Sequence, residues 1–229
     1  MREFNALHAY DRNSTERVVA GASRCIKNRL VATERGRDYY DGDRANGFGG
    51  FRYDGRWRPV AKSLIADYDL SPEARVLHIG CDKGFLLQDL LVECSTLQVA
   101  GLDPSVYAID AADASVRKCL VEGPFRNLPF ADKSFDLVIC SGPIYTLDLA
   151  GAVGLLREVC RVTSRSAYVT LAAYEDQEDF FLFRDWSLLA STVLLREEWE
   201  QVLKFVDYRY DYSFMTSELL KLKRPPPST

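Results

Sequence analysis

The chain has 229 residues, of which 47% are hydrophobic and 27% charged, with a formal net charge of -4. That length suits one large domain, or one domain with an added lid, and leaves ample room for a buried core. The slightly acidic balance argues against a nucleic-acid surface, which shows a clustered excess of Lys and Arg, and two histidines are too few for the common zinc constellations.

The first residues, MREFNALHAYDR, carry charges where a secretory leader needs an apolar run, and no stretch approaches membrane-spanning length. A cytoplasmic protein without a membrane partner is expected. Residues 1–70 form an N-terminal region. Two short helical patterns fall within Thr15–Arg35, and YYDGDRANGFGGFRYDGRWRPV follows, dense in Gly, aromatic and charged residues. It is too irregular for a core element and too aromatic for a disordered linker, so residues 39–57 read as an ordered lid.

The second region, residues 71–229, begins with RVLHIG, a short apolar run that suits a buried parallel strand. FLLQDLLVEC has helical spacing, and TLQVAGLD is a second strand ending in an acid. PSVYAIDAADASVRKCL reads as a helix with Pro104 and Ser105 as its start signals. FDLVICS, LDLAGAVGLLREVCRV and SAYVTLAAY continue as strand, helix and strand. EEWEQVLKFVDYRYDYSF reads as a helix and then an aromatic strand. KRPPPST reads as a frayed tail, with Lys221, Lys223 and Arg224 as solvated ends. Strands alternating with helices indicate an α/β fold with a parallel sheet and right-handed crossovers. The six cysteines contain no C-x-x-C pair and sit largely in apolar patterns, which suits buried free thiols better than a disulfide framework.

In such sheets ligands bind at the carboxyl ends of the strands, which directs attention to VLHIGCDKGF. Gly80 and Gly84 bracket a tight turn where glycine permits positive φ and close backbone approach, and the helix starting near Gly84 points free N–H groups at the same space. A plain tight turn would look alike. Asp103, roughly twenty residues on, ends the next strand where a carboxylate can accept two hydrogen bonds from a ribose diol, although Asp is also favoured as a helix N-cap. The turn lacks the G-x-G-x-x-G order of nicotinamide enzymes.

VLHIGCDKGF resembles the first motif of class I S-adenosylmethionine-dependent methyltransferases, usually V-L-D-x-G-C-G-x-G, and GLDPS resembles their second-strand acid. GPFRNLPFADKSFDLVICS is similar to the family's third strand end, L-P-F turn and D-x-V strand, here beginning at Asp136. The resemblance runs over roughly residues 70–215. The stretch DGDRANGFGGFRYDGRW resembles a lead-in of a small-molecule, type 11-like branch. The family implies a Rossmann-like, seven-stranded, mostly parallel sheet with helices on both faces, a final antiparallel hairpin, and S-adenosylmethionine across the first two strand ends. Carried over residue by residue, it assigns the cofactor to His78, Gly80, Cys81, Asp82 and Gly84 in the turn. Asp103, Pro104, Pro124, Phe125 and Ser141 complete the assignment.

Three of these positions depart from the family pattern. His78 stands where an acid faces the methionine end, Asp82 where a second glycine sits, and Pro124 where an Asp or Asn meets the adenine amino group. Gly80, Gly84 and Asp103 are kept. Two readings stay open. Asp82 compensates for the acid missing at position 78 while Phe125 stacks on adenine; or Asp82 obstructs the site and the fold has been repurposed, for another reaction or as a non-catalytic binding subunit.

Methyl transfer needs an aligned nucleophile and a dry pocket more than it needs a base. His78 and Tyr145 are the candidates if a base is required, with a hydrogen-bonded core position the plainer reading of His78. The substrate wall is expected from Tyr40, Tyr53, Trp57 and Tyr145, which could equally just pack the lid. Arg44 and Arg56 are candidates for an anionic substrate group. Trp186 and Trp199 lie in helical patterns and are expected in the core.

Overall fold

In a computed structural model, residues 1–10, 16–19 and 24–226 are described. The elements run β1 (Arg2–Glu3), β2 (Arg17–Val18), α1 (Ile26–Thr33), α2 (Arg37–Tyr40), α3 (Arg58–Asp67), β3 (Arg75–Ile79) and α4 (Phe85–Glu93). Then come β4 (Gln98–Asp103), α5 (Val106–Asp110), α6 (Ala114–Arg117), β5 (Leu120–Glu122), β6 (Phe135–Cys140), α7 (Pro143–Thr146) and α8 (Leu149–Val162). β7 (Thr163–Tyr174), α9 (Gln177–Trp186), β8 (Leu194–Leu195), α10 (Arg196–Phe205), β9 (Asp211–Met215) and β10 (Leu222–Lys223) complete the order. Of the two helical patterns expected within Thr15–Arg35, the described residues show α1; residues 15 and 20–23 lie outside the described residues.

Among the described residues an eight-stranded sheet has the order β1-β9-β7-β6-β3-β4-β5, with β8 paired to the end of β7. β3 lies at its centre because RVLHI is apolar on both faces, as a strand covered on both sides must be. Leu77 and Ile79 face the cluster built with α8 and α10, and Val76 faces the cluster built with α3 and α4. The strand order reverses between β3 and β6, which opens the crevice where open α/β sheets bind ligands.

The Rossmann-like α/β sheet is as the sequence predicts, with two differences. β9 lies parallel to β7, with Tyr168 opposite Asp211 and Ala172 opposite Met215, so no antiparallel hairpin closes the described sheet. The reason is α10, which carries the chain back along the sheet so that DYSFM enters in the same direction as β7. β1 then adds a further parallel strand outside β9, which accounts for eight strands where seven are expected.

The long helix expected over residues 104–120 is broken into α5 and α6. Ser105 caps the first, its Oγ accepting the Ala108 N–H at 3.0 Å, and Asp113 caps the second. Residues within 1–70 join the sheet's own core: Ala6, Leu7, Val60, Ala61 and Leu64 pack with Val76, Leu86 and Leu87. Trp199 is fully buried, its Nε1–H donating to the Ala172 carbonyl at 2.6 Å. All six cysteines are free, but only Cys81 and Cys140 are buried; Cys25 is exposed. The tail is tied down as far as Arg224, which pairs with Asp185 at 2.8 Å, while Lys223 pairs with Glu16. β10 lies beside β2, and residues 227–229 fall outside the described residues. No helix among the described residues is long and apolar enough to cross a membrane.

Candidate active site

The turn after β3 is built on three left-handed residues, Gly80 (φ 73°), Asp82 (φ 50°) and Gly84 (φ 75°). At Gly80 a Cβ would meet Pro143 Cγ at 2.4 Å, so glycine there lets β3 end directly against α7. Asp82 sits at the position where a glycine is usual, and its conformation explains why. Asp is one of the few side chains that enter the left-handed region, at a cost of roughly 1–2 kcal/mol.

The turn is held to the neighbouring strand by Asp103. This carboxylate is fully buried; Oδ2 accepts the Asp82 N–H at 2.9 Å and Oδ1 accepts the Ser105 N–H at 2.9 Å. Ser105, not Asp103, is the N-cap of α5. Burial pushes the Asp103 carboxyl up, and burial together with the neighbouring Asp103 pushes Asp82 up to about 7. The strand ends thus concentrate two carboxyls that a nearby positive charge would stabilise.

Facing them is the 39–57 segment, the expected lid. Tyr40 is fully buried, and its hydroxyl donates to Asp82 Oδ1 at 2.7 Å. Lys83, buried in the turn, donates to Asp41 Oδ2 at 2.6 Å and to the Phe51 carbonyl at 2.8 Å. The Tyr107 hydroxyl donates to the same Asp41 oxygen at 2.6 Å. A charged side chain so buried needs its partners, and this one ties both ends of the 41–51 loop to the glycine turn. Phe51 stacks on Phe85 with ring centroids 4.8 Å apart.

Between lid and strand ends lies a cavity of about 490 Å³. Of the cofactor positions assigned from sequence, Gly80, Asp82, Asp103, Phe125 and Ser141 are on its wall. Cys81, Gly84, Pro104 and Pro124 are not. Cys81 is turned into the core, where it would touch a Cβ at position 101, and Pro124 is exposed. His78, next to last in β3, is 6% exposed and lies behind the wall with Nδ1 unpartnered; burial lowers it to about 4, so it is neutral at pH 7. Of the substrate positions, Arg44, Arg56, Trp57 and Tyr145 line the cavity. Tyr40 stands behind it on Asp82, and Tyr53 lies outside it, its hydroxyl donating to the buried Asp89 at 2.6 Å. Arg56 is paired with Asp54.

The cavity also takes in Arg24, Arg35, Tyr39 and Trp186, none of them a candidate from sequence. Trp186 ends α9 and is half-buried rather than part of the central core. No local pattern marks these residues, because each comes from a different segment folded over the strand ends. Among the described residues no cluster of His, Cys, Asp and Glu could hold a metal ion.

Residues 76–166 match a family model described as a methyltransferase domain. No curated protein matches the chain. Among solved structures, YcgJ of Bacillus subtilis is similar with a TM-score of 0.52 at 21% identity, over 64% of this chain and 66% of that one. A chain from the Haloferax volcanii complex between the Trm112 methyltransferase activator and a methyltransferase gives 0.51 at 18%, over 79% and 75%. A protein of Anabaena variabilis described as a methyltransferase from an antibiotic biosynthesis pathway gives 0.51 at 21%, over 66% and 61%. At these identities the structures establish the shared fold. The family model lies on the glycine turn, the strand-end acid and the central strands of the sheet, so over residues 76–166 the chain is similar to methyltransferase domains.

Proposed function

We propose that the chain methylates a nucleophile on a small molecule, with the strand ends holding the cofactor and the lid holding the substrate. The observation that carries this is the single cavity in which Gly80, Asp82 and Asp103 face Arg44, Trp57 and Tyr145. Its volume falls within the roughly 300–1,000 Å³ of small-molecule sites.

The residues fit S-adenosylmethionine. The two carboxyls raised by burial suit a ligand that carries an ammonium and a sulfonium, because such a ligand restores the ionised form that burial opposes. Asp103 has lone pairs left for a ribose diol beyond its two backbone bonds. Phe125 offers a buried ring for adenine, with the Arg35 guanidinium 5.5 Å from its centroid. When bound, the cofactor supplies a methyl carbon to an attacking nucleophile while the carbon–sulfur bond breaks and its electron pair stays on sulfur. The protein's part is to align the nucleophile and keep water out, through Tyr39 and Phe51 of the packed lid and Phe85 of α4 against which Phe51 stacks. Neither base candidate stands ready: His78 is behind the wall, and the Tyr145 hydroxyl is turned to Met215 Sδ at 3.7 Å. A nucleophile with a free lone pair fits best.

Calorimetric titration with S-adenosylmethionine and S-adenosylhomocysteine, beside mass spectrometry of what co-purifies, is expected to give saturable binding of both. Tyr40 supports a second reading, since it already satisfies one Asp82 oxygen without any ligand. Absence of affinity for both compounds would favour a repurposed fold.

The lid should respond to the same titration. Limited proteolysis is expected within residues 39–57 and should slow when S-adenosylhomocysteine saturates the protein. Lys83→Met, which removes the tie to Asp41 and Phe51, should speed cutting severalfold. An unchanged rate in both experiments would mark a static loop.

A further inference from the structure

The cavity has two poles. Its strand-end pole carries Asp82 and Asp103, whereas the opposite pole is lined by Arg44, Arg52 and Arg56 of the lid and by Arg17 and Arg24 of the N-terminal segment, with no lysine among the described wall residues. Such a concentration is unexpected in a chain of net charge -4. We propose that this arginine-lined pole is an anion-binding subsite in which Arg24 and Arg44 grip a carboxylate or phosphate group of the methyl-accepting molecule. The inference rests on the methyltransferase reading and names the substrate class for it.

The arginines differ in what already holds them. Arg56 is taken by Asp54, and Arg35 leans on Phe125 and donates to Thr146 beside the acidic pole. Arg24 and Arg44 are different. Arg24 is anchored through Nη1 to the Trp186 carbonyl, and Arg44 through Nη1 to the Gly47 carbonyl. Neither has a carboxylate partner among the described residues. A guanidinium carries five N–H donors, so one anchored nitrogen leaves a planar fork for a bidentate anion. The carbonyl anchors orient the cations without neutralising them.

Two further features shape this pole. At Gly49 a Cβ would meet Arg44 Cδ at 2.8 Å, so the glycine lets the arginine stem lie against the lid backbone. The Trp186 ring has both Arg17 and Arg24 guanidinium carbons 5.9 Å from its centroid, and it offers a flat apolar face beside the charge. The cations also crowd one another: burial first, then Arg44 and Arg29, lower Arg24 to about 10. It stays charged at pH 7, but a bound anion would relieve both burdens.

The remaining carboxylates on the cavity wall are occupied elsewhere, Asp54 by Arg56 and the Asp82–Asp103 pair at the opposite pole. A cationic methyl donor and an anionic acceptor would therefore each meet the complementary charge, with the transferring methyl between them.

The test uses the whole protein and three probes: phenyl phosphate, benzoate and the neutral benzyl alcohol, titrated calorimetrically with and without S-adenosylhomocysteine. At least one anion is expected to bind about tenfold or more tightly than benzyl alcohol, with affinity falling as salt rises. Which anion wins tells phosphate from carboxylate. Arg24→Gln and Arg44→Gln should each weaken the anion about tenfold, the usual consequence of losing a hydrogen bond to a charged group, and leave S-adenosylhomocysteine affinity unchanged. Should Arg24→Gln fail to fold, Arg44→Gln, whose side chain is exposed, carries the test. Equal binding of the neutral probe, no binding of either anion, or wild-type anion affinity in folded variants would each overturn the subsite. Failure of the methyltransferase reading shows separately, as wild-type protein that does not bind S-adenosylhomocysteine.

Discussion

Asp103→Ala is expected to lower affinity for S-adenosylmethionine by about ten- to a hundredfold, and to loosen the glycine turn at the same time. The first effect is the loss of charge-assisted bonds to the ribose diol, worth roughly 1.5–3 kcal/mol. The second follows from the two backbone N–H groups, of Asp82 and Ser105, that the buried carboxylate accepts. Leaving a buried donor without a partner costs about 1–3 kcal/mol each, so the Ala variant should also melt several degrees lower. Asp103→Asn separates the effects, because it keeps the shape and one acceptor while removing the charge. A folded Asp103→Asn protein with wild-type affinity would refute the ribose assignment.

Asp82 should make cofactor affinity depend on pH around neutrality. Its carboxyl is pushed up to about 7, first by burial and then by Asp103, with the Tyr40 hydroxyl, Arg35 and Lys83 pulling the other way. Only the ionised form attracts a cation. Below about pH 7 a proton must leave before the ligand's ammonium can pair, so affinity falls by up to about tenfold per pH unit; above it affinity levels off. Asp103, whose own carboxyl is raised by burial, is the neighbouring charge that helps to raise Asp82. Titrations between pH 5.5 and 8.5 are therefore expected to show affinity rising with pH and then flattening, and Asp82→Asn should flatten the whole profile. Asp82→Gly distinguishes the two roles open for this residue. Weaker binding supports the replacement of the acid absent at position 78, whereas tighter binding would mean that the side chain obstructs the site. Asp82 lines the cavity and His78 does not, so of the two positions Asp82 is the one that can meet a ligand there.

Much of this arrangement is legible in the residues. Apolar runs such as RVLHI and FDLVIC, too short for helices and bounded by Gly and Pro, specify buried parallel strands. Gly80, Gly84 and Asp103 specify a turn and an acid at adjoining strand ends, because positive φ and a strand-end carboxylate are local requirements. Ser105 likewise caps its helix through an atom only three residues away. Local chemistry writes itself into local sequence.

What only the tertiary structure decided are the contacts between distant segments. Nothing in the sequence singles out Lys83; the fold brings Asp41 and Phe51 over it. Tyr40 is indistinguishable from a substrate-facing aromatic until its hydroxyl meets Asp82 across 42 positions. Arg24 and Arg44 converge with Trp186 only because the lid and α9 close over the same strand ends. The direction of β9 was equally hidden: DYSFM alternates the same way in a parallel or an antiparallel strand, and the path of α10 chose between them. Periodicity records which face of an element is buried; which element covers it, and from which direction, depends on packing summed over the whole chain.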